Sequence, residues 1–135
     1  MNIDWLREHC LSLTHATETM QWGDNLVFKV GGKMFAVVSL EPSARTHLSC
    51  KCTAERFAEL TEIPGIIPAP YMARAMWVAF EDLNALRADE IRALISESYG
   101  LVFAKLTKKM QQELTAVGTK RKASTSKARR SKRRS

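Results

Sequence analysis

The chain has 135 residues, 45% of them hydrophobic, and 21 Lys and Arg against 14 Asp and Glu, a formal net charge of +7. That length fits one domain with a core of its own, three cysteines make no disulfide framework, and no apolar run reaches the ~18 residues of a membrane span. Acids within Met1-Asn-Ile-Asp-Trp-Leu-Arg-Glu argue against a secretory or transit peptide, so a cytoplasmic location, nucleoid association included, is the expectation.

Ile3, Leu6, Cys10 and Leu13 recur at helical spacing behind Asn2, a candidate N-cap, and predict a helix over 3–13. Strands follow over 18–22, 26–30 and 33–40. Gly31-Gly32 suits a two-residue hairpin turn, which sets Val30 opposite Lys33, Phe28 opposite Phe35 and Leu26 opposite Val37. The expected core face is then Leu26, Phe28, Phe35 and Val37, with Lys29, opposite Met34, on the other side.

A strand over 46–52 puts Leu48, Cys50 and Cys52 on one side and His47, Ser49 and Lys51 on the other. Thr53 then caps a helix of about two turns. Pro64, Gly65, Pro68 and Pro70 predict a loop or irregular edge, and 75–81 a last strand. From Asp89 onward Ile91, Leu94, Ile95, Val102, Leu106 and Met110 form an apolar stripe, in which Gly100 is expected to separate two helices or kink one. The fold class is α+β, an antiparallel sheet with helices on one face.

Charge is not spread evenly over this plan. Residues 118–135 hold nine of the 21 basic residues and no acid, which leaves 12 basic and 14 acidic residues in 1–117, a formal −2. The expected organisation is therefore a mildly acidic domain, 1–117, and a disordered polycationic tail, 118–135. Lys120, Arg121, Lys122, Lys127, Arg129, Arg130, Lys132, Arg133 and Arg134 are the leading candidates for phosphate contacts, which carry affinity without base readout. DNA is the expected partner, with RNA open; a merely solubilising extension is the bland reading of the same residues.

Several ordered segments, Trp22-Gly-Asp-Asn-Leu-Val-Phe-Lys-Val-Gly-Gly-Lys-Met-Phe-Ala, Leu48-Ser-Cys-Lys-Cys, Ile67-Pro-Ala-Pro-Tyr-Met-Ala-Arg-Ala-Met-Trp-Val and Ser98-Tyr-Gly-Leu-Val-Phe-Ala-Lys-Leu, resemble the MmcQ/YjbR family of small bacterial proteins across roughly residues 3–114. The resemblance implies a frataxin-like (CyaY-like) α/β arrangement, described as a double wing, and a DNA-binding role. It brings no catalytic motif, and the basic tail lies outside it.

Within the domain, Tyr71, Arg74 and Trp77 suggest an aromatic and guanidinium surface for phosphate or base; the competing reading packs Trp77 in the core and pairs Arg74 with a carboxylate. Lys29, Lys33 and Lys51 make a modest basic patch if their strands are neighbours, and Arg74, Lys51 and Lys33 are the secondary contacts. Lys105, Lys108 and Lys109 share a helix face, where they either offset the negative helix end or continue the cationic path. His47, Cys50 and Cys52 are zinc-ligand types, but alternation sends His47 away from the thiols, so buried thiols without metal or cofactor are expected. His9, His15 and His47 sit in no nucleophile motif. The expected function is non-enzymatic DNA binding, the alternative a protein-interaction or small-ligand module with an incidental tail.

Overall fold

A computed structural model describes residues 3–115, so Asn2, the expected cap, lies outside the described residues. Helix α1 is Ile3–Ser12, with Leu6 and Cys10 on its buried side. Strands β1 (Thr17–Gln21), β2 (Asn25–Val30), β3 (Lys33–Ser39) and β4 (Leu48–Lys51) precede helix α2 (Ala54–Leu60). Strands β5 (Ile66–Pro68) and β6 (Trp77–Phe80) lead to helix α3 (Ala88–Ala104). Every pairing in the six-stranded sheet is antiparallel, in the order β1-β2-β3-β4-β6-β5. The α+β plan holds, with one addition. The proline-rich stretch supplies β5, at a sheet edge where Pro68 interrupts no central ladder.

The described residues divide into two units, the first ending at Lys105 and the second beginning at Leu106. In the second, residues 108–115 are helical, and Thr107 caps them by accepting from Met110 N at its Oγ1 (3.1 Å).

Register in the β2–β3 hairpin differs from the simple expectation. Val30 does face Lys33 and Lys29 faces Met34, but Phe28 pairs with Ala36, Leu26 with Val38 and Val27 with Val37. The cause is an irregularity at Phe28/Lys29 that leaves Phe35 as an extra residue in β3. Phe35 stays on the helix-covered side, 6.5 Å from the Phe28 ring and edge-on to Tyr99 of α3 at 5.4 Å. Val37 is thereby moved to the opposite face.

That register sorts the sheet into two sides. The covered side carries Leu26, Phe28, Ala36, Val38, Leu48, Cys50, Val78 and Phe80, all buried. Cys10 of α1 and Tyr99 of α3 come down onto this side, beside Cys50 and Phe35. The two helices meet where His9 Nε2 lies 3.1 Å from the Arg92 carbonyl oxygen and 3.2 Å from Ser96 Oγ, burial pushing the imidazole pKa down. On the other side Trp77 and Ala79 pack with Ala69, joined by the half-buried Met34, Val37, Ile67 and Met72.

Helix α3 runs through Gly100 without a break, contrary to expectation, and ends at Ala104 with Lys105 as its C-cap. Ile91, Leu94, Ile95, Ser98 and Val102 are buried along it. Packing of that stripe outweighs the roughly 1 kcal/mol that an exposed helical glycine costs relative to alanine. At its start, Asp89 and Glu90 occupy the positive helix end, and Glu90 Oε1 accepts from Arg87 N at 3.1 Å.

Candidate nucleic-acid interface

Strand direction brings four pieces of backbone to one end of the sheet. Val30 and Lys33 close the Gly31-Gly32 turn there, and Lys51, one step beyond the Ala36–Cys50 pair, faces Trp77 at the start of β6. The turn over 69–76, which joins β5 to β6, lies at the same end. So does the last part of α3, because Ser98 reaches both β3 and β4. Its buried hydroxyl donates to the Phe35 carbonyl (2.6 Å) and accepts from Lys51 N (2.9 Å), bridging the two strands beside the bulge.

The 69–76 turn is held by its own backbone. Met72 N bonds to Ala69 O (3.1 Å), Met76 N to Ala73 O (3.0 Å), Ala69 N to Trp77 O (2.9 Å), and Cys52 N of the neighbouring chain segment to Met76 O (2.9 Å). Residues 73–75 form a 3₁₀ turn that closes with Met76 in the left-handed region at φ 65°. Tyr71 is left-handed too, at φ 66°, and its side chain is fully exposed, with relative accessibility 105%. Anchored by Ala69 and Met72 against Trp77, the turn presents Tyr71 and Arg74 outward.

The sequence-predicted residues of the domain differ in exposure and in partners. Lys51 is half-buried; its Nζ donates to the Ala75 carbonyl at 2.6 Å, which ties it to the turn that carries Arg74. Burial, and then the nearby charge of Lys105, push the Lys51 ammonium pKa down. Arg74 is exposed, and no carboxylate pairs with it among the described residues. Lys33 is exposed at the hairpin turn of the same end, and Lys29 stands half-buried on the sheet face it was expected to occupy. Trp77, 5% exposed, belongs to the core. Lys120, Arg121, Lys122, Lys127, Arg129, Arg130, Lys132, Arg133 and Arg134 lie outside the described residues.

Ser98 escaped sequence reading, and Lys105, expected on a cationic helix face, gains its neighbour here through a long-range contact. Lys105 approaches Lys51 only because α3 crosses β4, and Ser98 looks like any helix serine until its two backbone partners are seen. Carboxylates are not wholly absent from this end: Glu55 opens α2, and Glu97 is near enough to raise the Cys52 thiol pKa.

The thiols are buried and unpaired. Desolvation raises Cys10 to about 12, Cys52 to about 11 and Cys50 further still, so all three are neutral at pH 7. No group of three or more His, Cys, Asp and Glu among the described residues is arranged to hold a metal ion. No described helix is long and apolar enough to cross a membrane.

The YjbR family model matches residues 11–101. The chain belongs to the YjbR family. Among solved structures, the YjbR fold here is similar to a Deinococcus radiodurans protein with a DUF419 domain, at 32% identity and TM-score 0.75, over 84% of this chain and 88% of that one. It is also similar to a Pseudomonas syringae protein at 25% identity and TM-score 0.63, over 76% of this chain and 99% of that one. No curated protein matched the chain. The YjbR match ends before Lys105 and the basic residues from 120 onward, so the family pattern and most of the concentrated charge fall on different parts of the chain.

Proposed function

We propose that this YjbR protein is a non-enzymatic DNA-binding protein whose affinity comes mainly from phosphate-backbone contacts by Lys120, Arg121, Lys122, Lys127, Arg129, Arg130, Lys132, Arg133 and Arg134. The observation that carries the reading is the separation of charge: nine basic residues and no acid within 118–135, beside a domain of slightly negative formal charge. Such a segment gains binding free energy by displacing condensed counterions from a polyanion, and it does so without reading sequence. The strand end that carries Lys33, Lys51, Arg74 and Lys105 supports a secondary, weaker contact from the fold. The buried neutral thiols offer no activated nucleophile, which favours binding over covalent chemistry.

The test is fluorescence anisotropy of a labelled DNA duplex across a salt series, with the full chain and with a full-length variant whose nine basic residues in 120–134 are glutamine. The native chain should show a log K against log salt slope of magnitude up to about 8, the limit for nine phosphate contacts. The variant should lose most of both slope and affinity. A variant that binds like the native chain moves the site onto the fold. Absence of binding by both at low salt rejects the DNA reading in favour of a protein-interaction or small-ligand module.

A further inference from the structure

Tyr71 is the most exposed large side chain of the fold, and nothing in the fold accounts for it. Its ring and hydroxyl have no partner among the described residues, so packing does not call for an aromatic at this position. Its backbone, at φ 66°, is one that glycine would adopt without strain and tyrosine does not. Strain of this kind persists where the surroundings enforce it, and here they do: the hydrogen bonds of Met72, Met76, Ala69 and Cys52 fix the turn on both sides. The ring is therefore held out on a rigid stem, so that little conformational entropy is lost when something stacks on it.

Its neighbours specify what would stack. Arg74, three residues on in the same turn, is exposed and without a carboxylate, and Lys51 is bonded to the turn through Ala75 O. Lys33 and Lys105 complete a cationic rim at this end of the strands. An exposed aromatic face beside unpaired cations suits a ligand that offers a flat ring and a phosphate together. In a duplex the base faces are stacked on one another and closed to Tyr71, whereas in a single strand they are open.

We propose that the 69–76 turn is a stacking platform for single-stranded nucleic acid, with Tyr71 against an unpaired base and Arg74 and Lys51 on the adjoining phosphates. The inference rests on the nucleic-acid reading above and deepens it. The polycationic segment holds either strand form by charge, while Tyr71 discriminates in favour of the single strand.

The experiment measures binding of an oligothymidylate of about 16 nucleotides and of a duplex of equal length to the full chain and to Tyr71→Ala, Tyr71→Gly, Tyr71→Phe and Arg74→Gln. Tyr71→Ala should weaken single-strand binding about 5- to 100-fold and leave duplex binding unchanged. Its salt slope should stay native, because no charge is removed, whereas Arg74→Gln should reduce the single-strand slope by about 0.7. Tyr71→Phe should bind like the native chain. Tyr71→Gly separates folding from recognition: it should raise the thermal midpoint by releasing the left-handed strain while losing single-strand affinity as the alanine variant does.

Native single-strand binding by Tyr71→Ala overturns the platform and assigns the exposed ring to another contact, such as a protein, while duplex binding that still depends on the nine basic residues leaves the DNA reading standing. Equal losses on both oligonucleotides also overturn it, since stacking acts on open bases only. If the native chain binds neither, the DNA reading fails and the platform falls with it.

Discussion

At the two ends of the strands the charges are used differently. At the end where β3 runs out and β6 leaves the sheet, Arg45 Nε meets Glu81 Oε2 at 2.8 Å, and Arg87 spans Asp89 and Glu90 at the start of α3. Basic groups there are answered by acids nearby in the fold. At the Gly31-Gly32 end, Lys33, Lys51, Arg74 and Lys105 take part in no ion pair among the described residues. Lys51 bonds to a neutral carbonyl instead. Exposed pairs contribute little to stability, so the contrast is one of availability: charges already paired have less to offer a polyanion than charges left open.

The largest expected effect comes from breaking the joint that builds the open end. Ser98 is fully buried, and its hydroxyl serves Phe35 O and Lys51 N at once. Ser98→Ala takes the hydroxyl partner from a carbonyl of β3 and an N–H of β4 at a buried position and should cost about 2–3 kcal/mol in urea unfolding. Because Lys51 loses its backbone anchor, binding at this end should weaken as well, whereas the distant Arg45–Glu81 pair is untouched. A loss below about 0.5 kcal/mol would mean that the strands close on each other without the hydroxyl.

Next in size is a direct comparison of the ends by charge removal. Lys33→Gln, Lys51→Gln and Arg74→Gln combined should lower the magnitude of the duplex salt slope by up to about 2.7, the value for three phosphates. The accompanying affinity loss should be about tenfold, or 1.4 kcal/mol. Arg45→Gln with Arg87→Gln removes two charges whose neighbours are acidic and should leave the slope unchanged. Equal slopes for both variants would erase the distinction and leave the residues beyond 117 as the whole binding site.

How much of this was legible in the sequence depends on the range of the interaction responsible. The hairpin turn, the capping of α2 by Thr53 and the apolar stripe of α3 are local, set by residues a few positions apart, and they read correctly. For Trp77 the structure takes the core reading of the two the sequence offers, since a large aromatic in a strand is mostly packed. The bulge was not legible, since Phe35, Ala36 and Val37 are all apolar and a one-residue slip leaves the hydrophobic pattern plausible; what decides it is the fit of Phe35 against Tyr99, 64 positions away. The role of Ser98 is hidden for the same reason, as its partners come from β3 and β4, whereas Lys105 is legible as a helix-face cation and only its closeness to Lys51 is not. The sequence leaves Arg74 between a carboxylate partner and an open surface, and only the placement of the 3₁₀ turn separates the two. Left-handed Tyr71 leaves no trace in composition, for a tyrosine gives no hint of positive φ.

The smallest expected effect concerns α3, which runs from the paired end to the open one. Gly100 lies inside it, exposed, with a helical backbone, and a Cβ built there meets nothing within 4 Å. Its flexibility would have mattered had the helix bent there, but the helix is continuous. Gly100→Ala should therefore stabilise the fold by about 0.5–1 kcal/mol, by reducing the freedom of the unfolded chain and by improving helix propensity, with no native contact disturbed. The measurement is the urea midpoint at unchanged m-value. Binding supplies the sharper reading. Gly100 is two residues from Ser98 and five from Lys105, so if the open end works as a preorganised surface, a stiffer helix behind it should leave DNA affinity intact or raise it slightly. A stabilised variant with weakened binding would show instead that the end of α3 must yield when the ligand arrives, and that Lys105 acts through movement.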